Sequence, residues 1–155
     1  DRFPEDKSKL YVHMNGPNIF NFTLKRVPAL LNETLAGSGV PREAIDYFIF
    51  HQSNRFIMRH LASKCGISED RIPRTIEEFG STGGPSVPLT ITKGKLNRAA
   101  DRSLQLLLLT YGVGLSWGSA VLDLPPDAVL NHLELSTGTN DALKNVGTAA
   151  PASRE

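Results

Sequence analysis

The sequence has a single cysteine, Cys65. One thiol excludes an internal disulfide framework and any multi-cysteine metal site, and a reducing, cytoplasmic setting is the simplest reading of it. An excess of charge of one sign is also missing: 17 Lys and Arg against 16 Asp and Glu leave a formal net charge of +1. That balance argues against a broadly nucleic-acid-binding protein and against a polybasic membrane-surface protein. Long apolar runs are absent as well. The stretch 104–109 is strand-sized, far short of the roughly 20 residues that a bilayer span needs. No secretory leader and no internal repeat are visible. What is present is ordinary for a globular protein, with 40% hydrophobic and 21% charged residues, and the length supports one domain with a real core.

Along the chain, residues 1–9 are polar, contain Pro4 and lack an initiator Met, so they read as a loop and the chain is expected to begin within something larger. Residues 10–14 suit a short strand, and Asn15-Gly16-Pro17-Asn18 has a turn composition. Over 19–36, Phe20, Leu24, Val27, Leu30, Leu31 and Leu35 recur at helical spacing. Pro28 predicts a kink or restart there, and Gly37 and Gly39 predict the stop. Residues 46–50 read as a strand, because Tyr47, Phe48, Ile49 and Phe50 are the types that suit a buried pleated surface.

Four polar residues then follow in a row, His51, Gln52, Ser53 and Asn54. Ser53 or Asn54 can cap a helix over 55–65. Its apolar side is expected to carry Phe56, Ile57, Leu61 and Cys65, while Arg55, Arg59 and Lys64 suit a solvated face. Cys65, at the end of that helix, reads as a small packed residue rather than a nucleophile. Residues 72–79 fit a strand or irregular chain equally. Gly80-Ser81-Thr82-Gly83-Gly84-Pro85-Ser86 is a glycine-rich loop that opens a helix over 86–98, with Pro88 tolerated in its first turn. Residues 103–111 form a buried central strand, 112–114 a turn and 115–124 a second strand, predicting an antiparallel pair. Pro125-Pro126 closes a domain over 1–124. The extension 125–155 would add a short helix over 127–135 and a tail whose composition suits disorder.

An apolar strand that opens into polar groups and is followed by a helix is how an open α/β sheet builds a site at the carboxyl ends of its strands. From this stretch alone His51 is as readily a satisfied strand-end or cap residue as a site residue. The glycine loop can bring backbone N–H groups to a ligand, but it matches neither the phosphate-binding loop nor the dinucleotide fingerprint.

Three segments in order carry more weight than any one of them: His51-Gln52-Ser53-Asn54 after a strand, Gly80 to Leu89 from loop into helix, and Gly112-Val113-Gly114-Leu115-Ser116-Trp117-Gly118-Ser119-Ala120 as strand–turn–strand. Together, over residues 10–122, they resemble the C-terminal half of β-ketoacyl-acyl-carrier-protein synthase III in the thiolase-like superfamily. The resemblance implies an α/β fold, the C-terminal half of a thiolase-like enzyme, with a mixed, five-stranded-type sheet, helices on both faces and the first strand missing. It implies decarboxylative Claisen condensation of an acyl thioester with a malonyl thioester. His51 would be a catalytic donor, and Ser81 would stand where the family has its Asn donor.

By the same resemblance Asn54, Gly112 and Val113 would line the pantetheine and substrate site, and Arg55, Arg59 and Lys64 would meet an acyl carrier protein. The nucleophilic Cys would lie outside this chain, in a missing N-terminal half. No metal and no resident cofactor are implied, only coenzyme A and carrier-protein thioesters as substrates; a homodimer is implied. An alternative is a related acyltransferase that forms an ester or amide without decarboxylation, with His51 as general base. A third is a non-catalytic partner half.

Overall fold

The computed structural model describes residues 14–97 and 101–130. The element order is α1 (Gly16–Ser38), β1 (Tyr47–Phe50), α2 (Arg55–Cys65), α3 (Ile76–Phe79), α4 (Ser86–Lys93), β2 (Leu104–Gly112) and β3 (Ser116–Leu124). Short 3-10 turns, Arg42–Ala44 and Glu69–Arg71, lie before β1 and after α2. None of the helices among these residues is long and apolar enough to cross a membrane.

The strands form one mixed sheet in the order β1-β2-β3. β1 runs parallel to β2 with Phe48 opposite Leu107 and Phe50 opposite Leu109. β2 runs antiparallel to β3, with Tyr111 opposite Trp117 across the glycine turn. The expected central strand and antiparallel pair are both present. The described residues supply three of the strands of the expected five-stranded type of sheet.

Alternation along the strands separates two apolar layers. Phe48 and Phe50 of β1, with Leu107, Leu109 and Tyr111 of β2, pack with Val27 and Leu31 of α1 and with Ile57, Met58, Leu61 and Ala62 of α2. On the opposite face Ile49, Leu104, Leu106 and Leu124 pack with Val87 and Ile91 of α4. Helices therefore cover both faces, as a sheet with two apolar sides requires.

Several local expectations are corrected. The turn composition at 15–18 is a helix start: Asn15 caps α1 by accepting the Asn18 N–H at 3.1 Å, and a proline fits the first turn, where no N–H partner is needed. Pro28 does not restart α1, which continues to Ser38. Val27 before the proline and Leu31 after it pack with the sheet residues Phe48, Phe50, Leu107 and Leu109, and tertiary packing outweighs the lost bond. Phe56 is not on the apolar side of α2. It is 60% exposed, and Met58 takes the buried place; the packed stripe runs Ile57, Met58, Leu61, Ala62, and Phe56 stacks instead on Phe20 and His60. The stretch 72–79 ends in the single turn of α3. α4 stops at Lys93, five residues short of 98, where Gly94 follows with its Cα hydrogen side pressed against the Thr90 carbonyl. Residues 127–130 are not helical. The predicted strand residues 10–13, the end of the helix at 98, the rest of 131–135 and the tail lie outside the described residues.

Candidate active site

The carboxyl end of β1 places His51. The sheet extends one step past the strand, since the His51 backbone N–H donates to the Leu109 carbonyl at 2.8 Å. The amino end of the same strand is held by Asp46, which accepts the Gln105 N–H at 2.8 Å and both Arg102 guanidinium nitrogens at 2.8 and 3.0 Å. Arg102 and that N–H hold the Asp46 carboxyl below its ordinary value, against the opposing effect of burial. β1 is thus fixed at both ends, and His51 starts from a rigid base.

The side chain of His51 is half-buried. Its Nδ1 lies 2.8 Å from the Ser86 hydroxyl, at the first turn of α4. Its ring meets the Tyr111 ring edge-on, with centroids 5.2 Å apart. Burial lowers its pKa, so the neutral imidazole is favoured at neutral pH. Tyr111 is buried and shares a 2.7 Å hydrogen bond with the Ser53 hydroxyl. Burial raises the phenol pKa, with Ser53 opposing, so Tyr111 stays a neutral wall of the site.

Gln52 points the other way, into the protein. At 1% exposure its Oε1 accepts the Thr75 N–H at 3.1 Å and its Nε2 donates to the Phe50 carbonyl at 2.9 Å. Thr75 and Thr90 hydroxyls lie 3.0 Å apart, and Thr90 donates to the Ser86 carbonyl at 2.7 Å. This buried polar chain joins β1, the segment before α3 and α4 behind the imidazole.

Two clefts open at His51, of about 510 and about 550 Å³. Both are lined by His51, Tyr111, Gly112 and Val113. Ser81 and Asn54 line the larger one with them. Five residues singled out from the sequence, His51, Ser81, Asn54, Gly112 and Val113, therefore surround one cavity. Asn54 also serves the fold: it caps α2, its Oδ1 accepting the Ile57 N–H at 2.8 Å, which leaves its NH₂ as the group it can offer a ligand.

Arg55, Arg59 and Lys64 are all exposed on α2, but they do not share a face. At 3.6 residues per turn Arg55 and Arg59 are stacked and Lys64 lies roughly half a turn away. Arg59 also pairs with Glu69 at 3.4 Å, which lowers its net pull on a distant anion. Cys65 sits at the far end of α2 from His51, roughly 15 Å along the axis for a helix of that length. Burial raises its thiol pKa, although Arg42 and Lys64 oppose, so it is a poor thiolate.

Ser86 and Gln52 carry no role in the sequence reading, and Ser53 only that of a possible cap, which Asn54 takes instead. Ser86 was visible as a small hydroxyl residue where the glycine loop enters a helix, but the element it faces is 35 residues away in the chain.

A family model for the C-terminal part of 3-oxoacyl-[acyl-carrier-protein] synthase III matches residues 35–124. The chain belongs to that family. It is 33% identical over 113 residues to the β-ketoacyl-[acyl-carrier-protein] synthase III of Lactococcus lactis, covering 72% of this chain and 35% of that protein. With the Streptococcus gordonii enzyme of the same name it shares 33% over 120 residues, 76% of this chain and 37% of the relative. The chain thus spans little more than a third of the length of these curated relatives.

Among solved structures, a 3-oxoacyl-(acyl-carrier protein) synthase from Burkholderia xenovorans superposes with a TM-score of 0.72 at 39% identity, covering 81% of this chain and 38% of that one. The priming β-ketosynthase of the R1128 polyketide pathway, at 24% identity and a TM-score of 0.63 over 73% of this chain and 34% of that one, shares the fold. The fold is the C-terminal part of the thiolase-like architecture, as the sequence resemblance implied.

Proposed function

We propose that the protein supplies the C-terminal part of a condensing enzyme of the synthase III type, which joins an acyl thioester to a malonyl thioester with loss of carbon dioxide. The observation that supports this most is the gathering of His51, Ser81, Asn54, Gly112 and Val113 around one cavity at the carboxyl end of β1 in a member of this family. The acyl group would be carried as a thioester on a cysteine from outside this chain; the raised thiol pKa and the position of Cys65 speak against using it.

The malonyl thioester would enter the cavity along Asn54, with its carbonyl oxygen toward His51 and Ser81. When its carboxylate leaves as carbon dioxide, the C–C bonding pair moves into the enolate and negative charge develops on the thioester oxygen. Donors placed at that oxygen lower the barrier. His51 would donate from its ring and Ser81 from its hydroxyl. The enolate carbon then attacks the acyl thioester carbonyl, a C–C bond forms, and the cysteine leaves as thiolate. The substrates would be coenzyme A and carrier-protein thioesters, with the carrier protein meeting α2 at Arg55 and Arg59. A soluble cytoplasmic homodimer without metal or resident cofactor completes the reading.

Ser81 offers one rotatable O–H where an amide would offer two N–H groups on a longer arm. The test is carbon dioxide release from a malonyl thioester by the full enzyme and its variants. His51→Ala lowers the rate about 100- to 1,000-fold, the cost of one oxyanion donor, and Ser81→Asn maintains or raises it. If the native enzyme and Ser81→Asn both release no carbon dioxide while an alcohol or amine accepts the acyl group, the condensing reading fails.

A further inference from the structure

The imidazole of His51 can carry its single proton on either nitrogen, and only one arrangement makes it a donor on the side away from Ser86. Ser86 is fully buried, with a hydroxyl that has one hydrogen to give and two lone pairs to fill. The Gln52 backbone N–H points at the Ser86 oxygen, a long contact of 3.4 Å that occupies its accepting side. A buried hydroxyl hydrogen needs an acceptor, and His51 Nδ1 stands 2.8 Å away. Ser86 itself has little room to move. Its N–H donates to the Gly83 carbonyl at 3.1 Å and its carbonyl accepts from Thr90 at 2.7 Å. Thr90 meets Thr75, whose N–H is held by Gln52. On the other side, Tyr111 abuts the imidazole edge-on and the His51 backbone is paired to β2.

We infer that Ser86 is a positioning residue for His51: its hydroxyl donates to Nδ1, fixes the ring plane, and keeps the ring proton on Nε2, ready to be offered to a ligand oxygen. The buried chain Gln52–Thr75–Thr90–Ser86 is then the support of the donor rather than core filling. This rests on the condensing reading only for its consequence in catalysis, since the tautomer is observable in the resting protein.

The test is a long-range ¹H–¹⁵N spectrum of the ¹⁵N-labelled full chain above pH 7.5, with His51 assigned through His51→Gln. The expected result is a pyrrole-type Nε2 and a pyridine-type Nδ1 in the native protein, and a shift of both toward the averaged values of a mixed-tautomer ring in Ser86→Ala. The decarboxylation kcat of Ser86→Ala falls on the order of 10- to 100-fold, less than removal of a donor outright, with KM little changed. A native ring protonated on Nδ1, or a His51 signal unmoved by Ser86→Ala, overturns the inference. Should Ser86→Ala not fold, Ser86→Cys, similar in shape but a weak donor, takes its place, and the native spectrum still decides the tautomer. An Nε2–H ring that shifts in Ser86→Ala, in a protein that releases no carbon dioxide, sinks the condensing reading and upholds Ser86; an Nδ1–H ring in an active enzyme does the reverse.

Discussion

Gln52 lies one residue past His51, and its replacement by leucine tests whether the polar chain behind the site supports the fold. Its side chain is 1% exposed and satisfies two backbone groups, the Thr75 N–H at 3.1 Å and the Phe50 carbonyl at 2.9 Å. Leucine is similar in size and can satisfy neither. Each stranded group costs about 1–3 kcal/mol, so the pair costs about 2–6 kcal/mol. The extra apolar burial returns roughly 1–2 kcal/mol, because the methylene stem of the glutamine was already inside. Taking the middle of each range, the net expectation for Gln52→Leu is a loss of about 2.5 kcal/mol, read as a lower urea midpoint at unchanged slope. The Thr75 amide gives a local reading: its hydrogen-exchange protection falls at least tenfold relative to the strand amides of β2.

Gln52→Glu separates the two bonds. One carboxyl oxygen can still accept from Thr75, but the other must be protonated to donate to Phe50, so the folded-state pKa is raised. A raised carboxyl pKa gives stability that is fully present below the unfolded value and is lost as pH rises through it and then through the folded value. The Glu variant is therefore closest to native in acid. A loss under about 0.5 kcal/mol for Gln52→Leu, with Thr75 still protected, would mean that the two Gln52 bonds do not support the fold, since that is the range of changes at inert surface positions.

Asn54→Ala removes the cap of α2 and costs about 1 kcal/mol, while Asn54→Asp keeps an acceptor for the Ile57 N–H and stays within a few tenths; paired urea titrations decide. Acid weakens the fold in two steps. As pH drops below about 6.5 the unfolded histidine takes a proton that buried His51 resists, so stability declines from there to the folded value, and His51→Gln flattens that segment. Below about pH 4 the unfolded aspartate takes a proton that Asp46 gives up to its Arg102 and Gln105 partners, so a second loss sets in as pH falls through the folded value, and Asp46→Asn removes that slope. Phe48→Ala costs about 3–5 kcal/mol in thermal or urea unfolding, because Phe48 is fully buried in the β1–β2 layer and lies under the guanidinium groups of Arg42 and Arg71.

The sequence carried what is local and periodic. The strand read over 46–50, which forms over Tyr47–Phe50, the extent of α2 with its cap at Ser53 or Asn54, the stop of α1 at the glycines 37 and 39, and the pairing of two apolar runs across a glycine turn all follow from residue types and their spacing. These depend on backbone conformation and side-chain shape within a few residues, so one stretch of chain is enough to read them. The three motifs in order also carried the family, since spacing between separate motifs survives where each alone is ambiguous.

The errors have a common origin in packing. Pro28 signals a kink or a restart by itself; the restart does not occur, because Val27 and Leu31 on either side of it are both buried against the sheet. Phe56 has the most apolar side chain at its end of α2, yet the direction of the sheet selects Met58 for the interior and leaves Phe56 to Phe20 and His60. Residue types and their spacing were enough for β1, α2, the β2–β3 pair, the family and five of the residues that face the cavity. Which of those residues hold which was decided only when the sheet register and α4 brought Ser86 to His51 and Thr75 to Gln52, because a hydrogen bond between residues 23 or 35 positions apart depends on distances that no local pattern encodes.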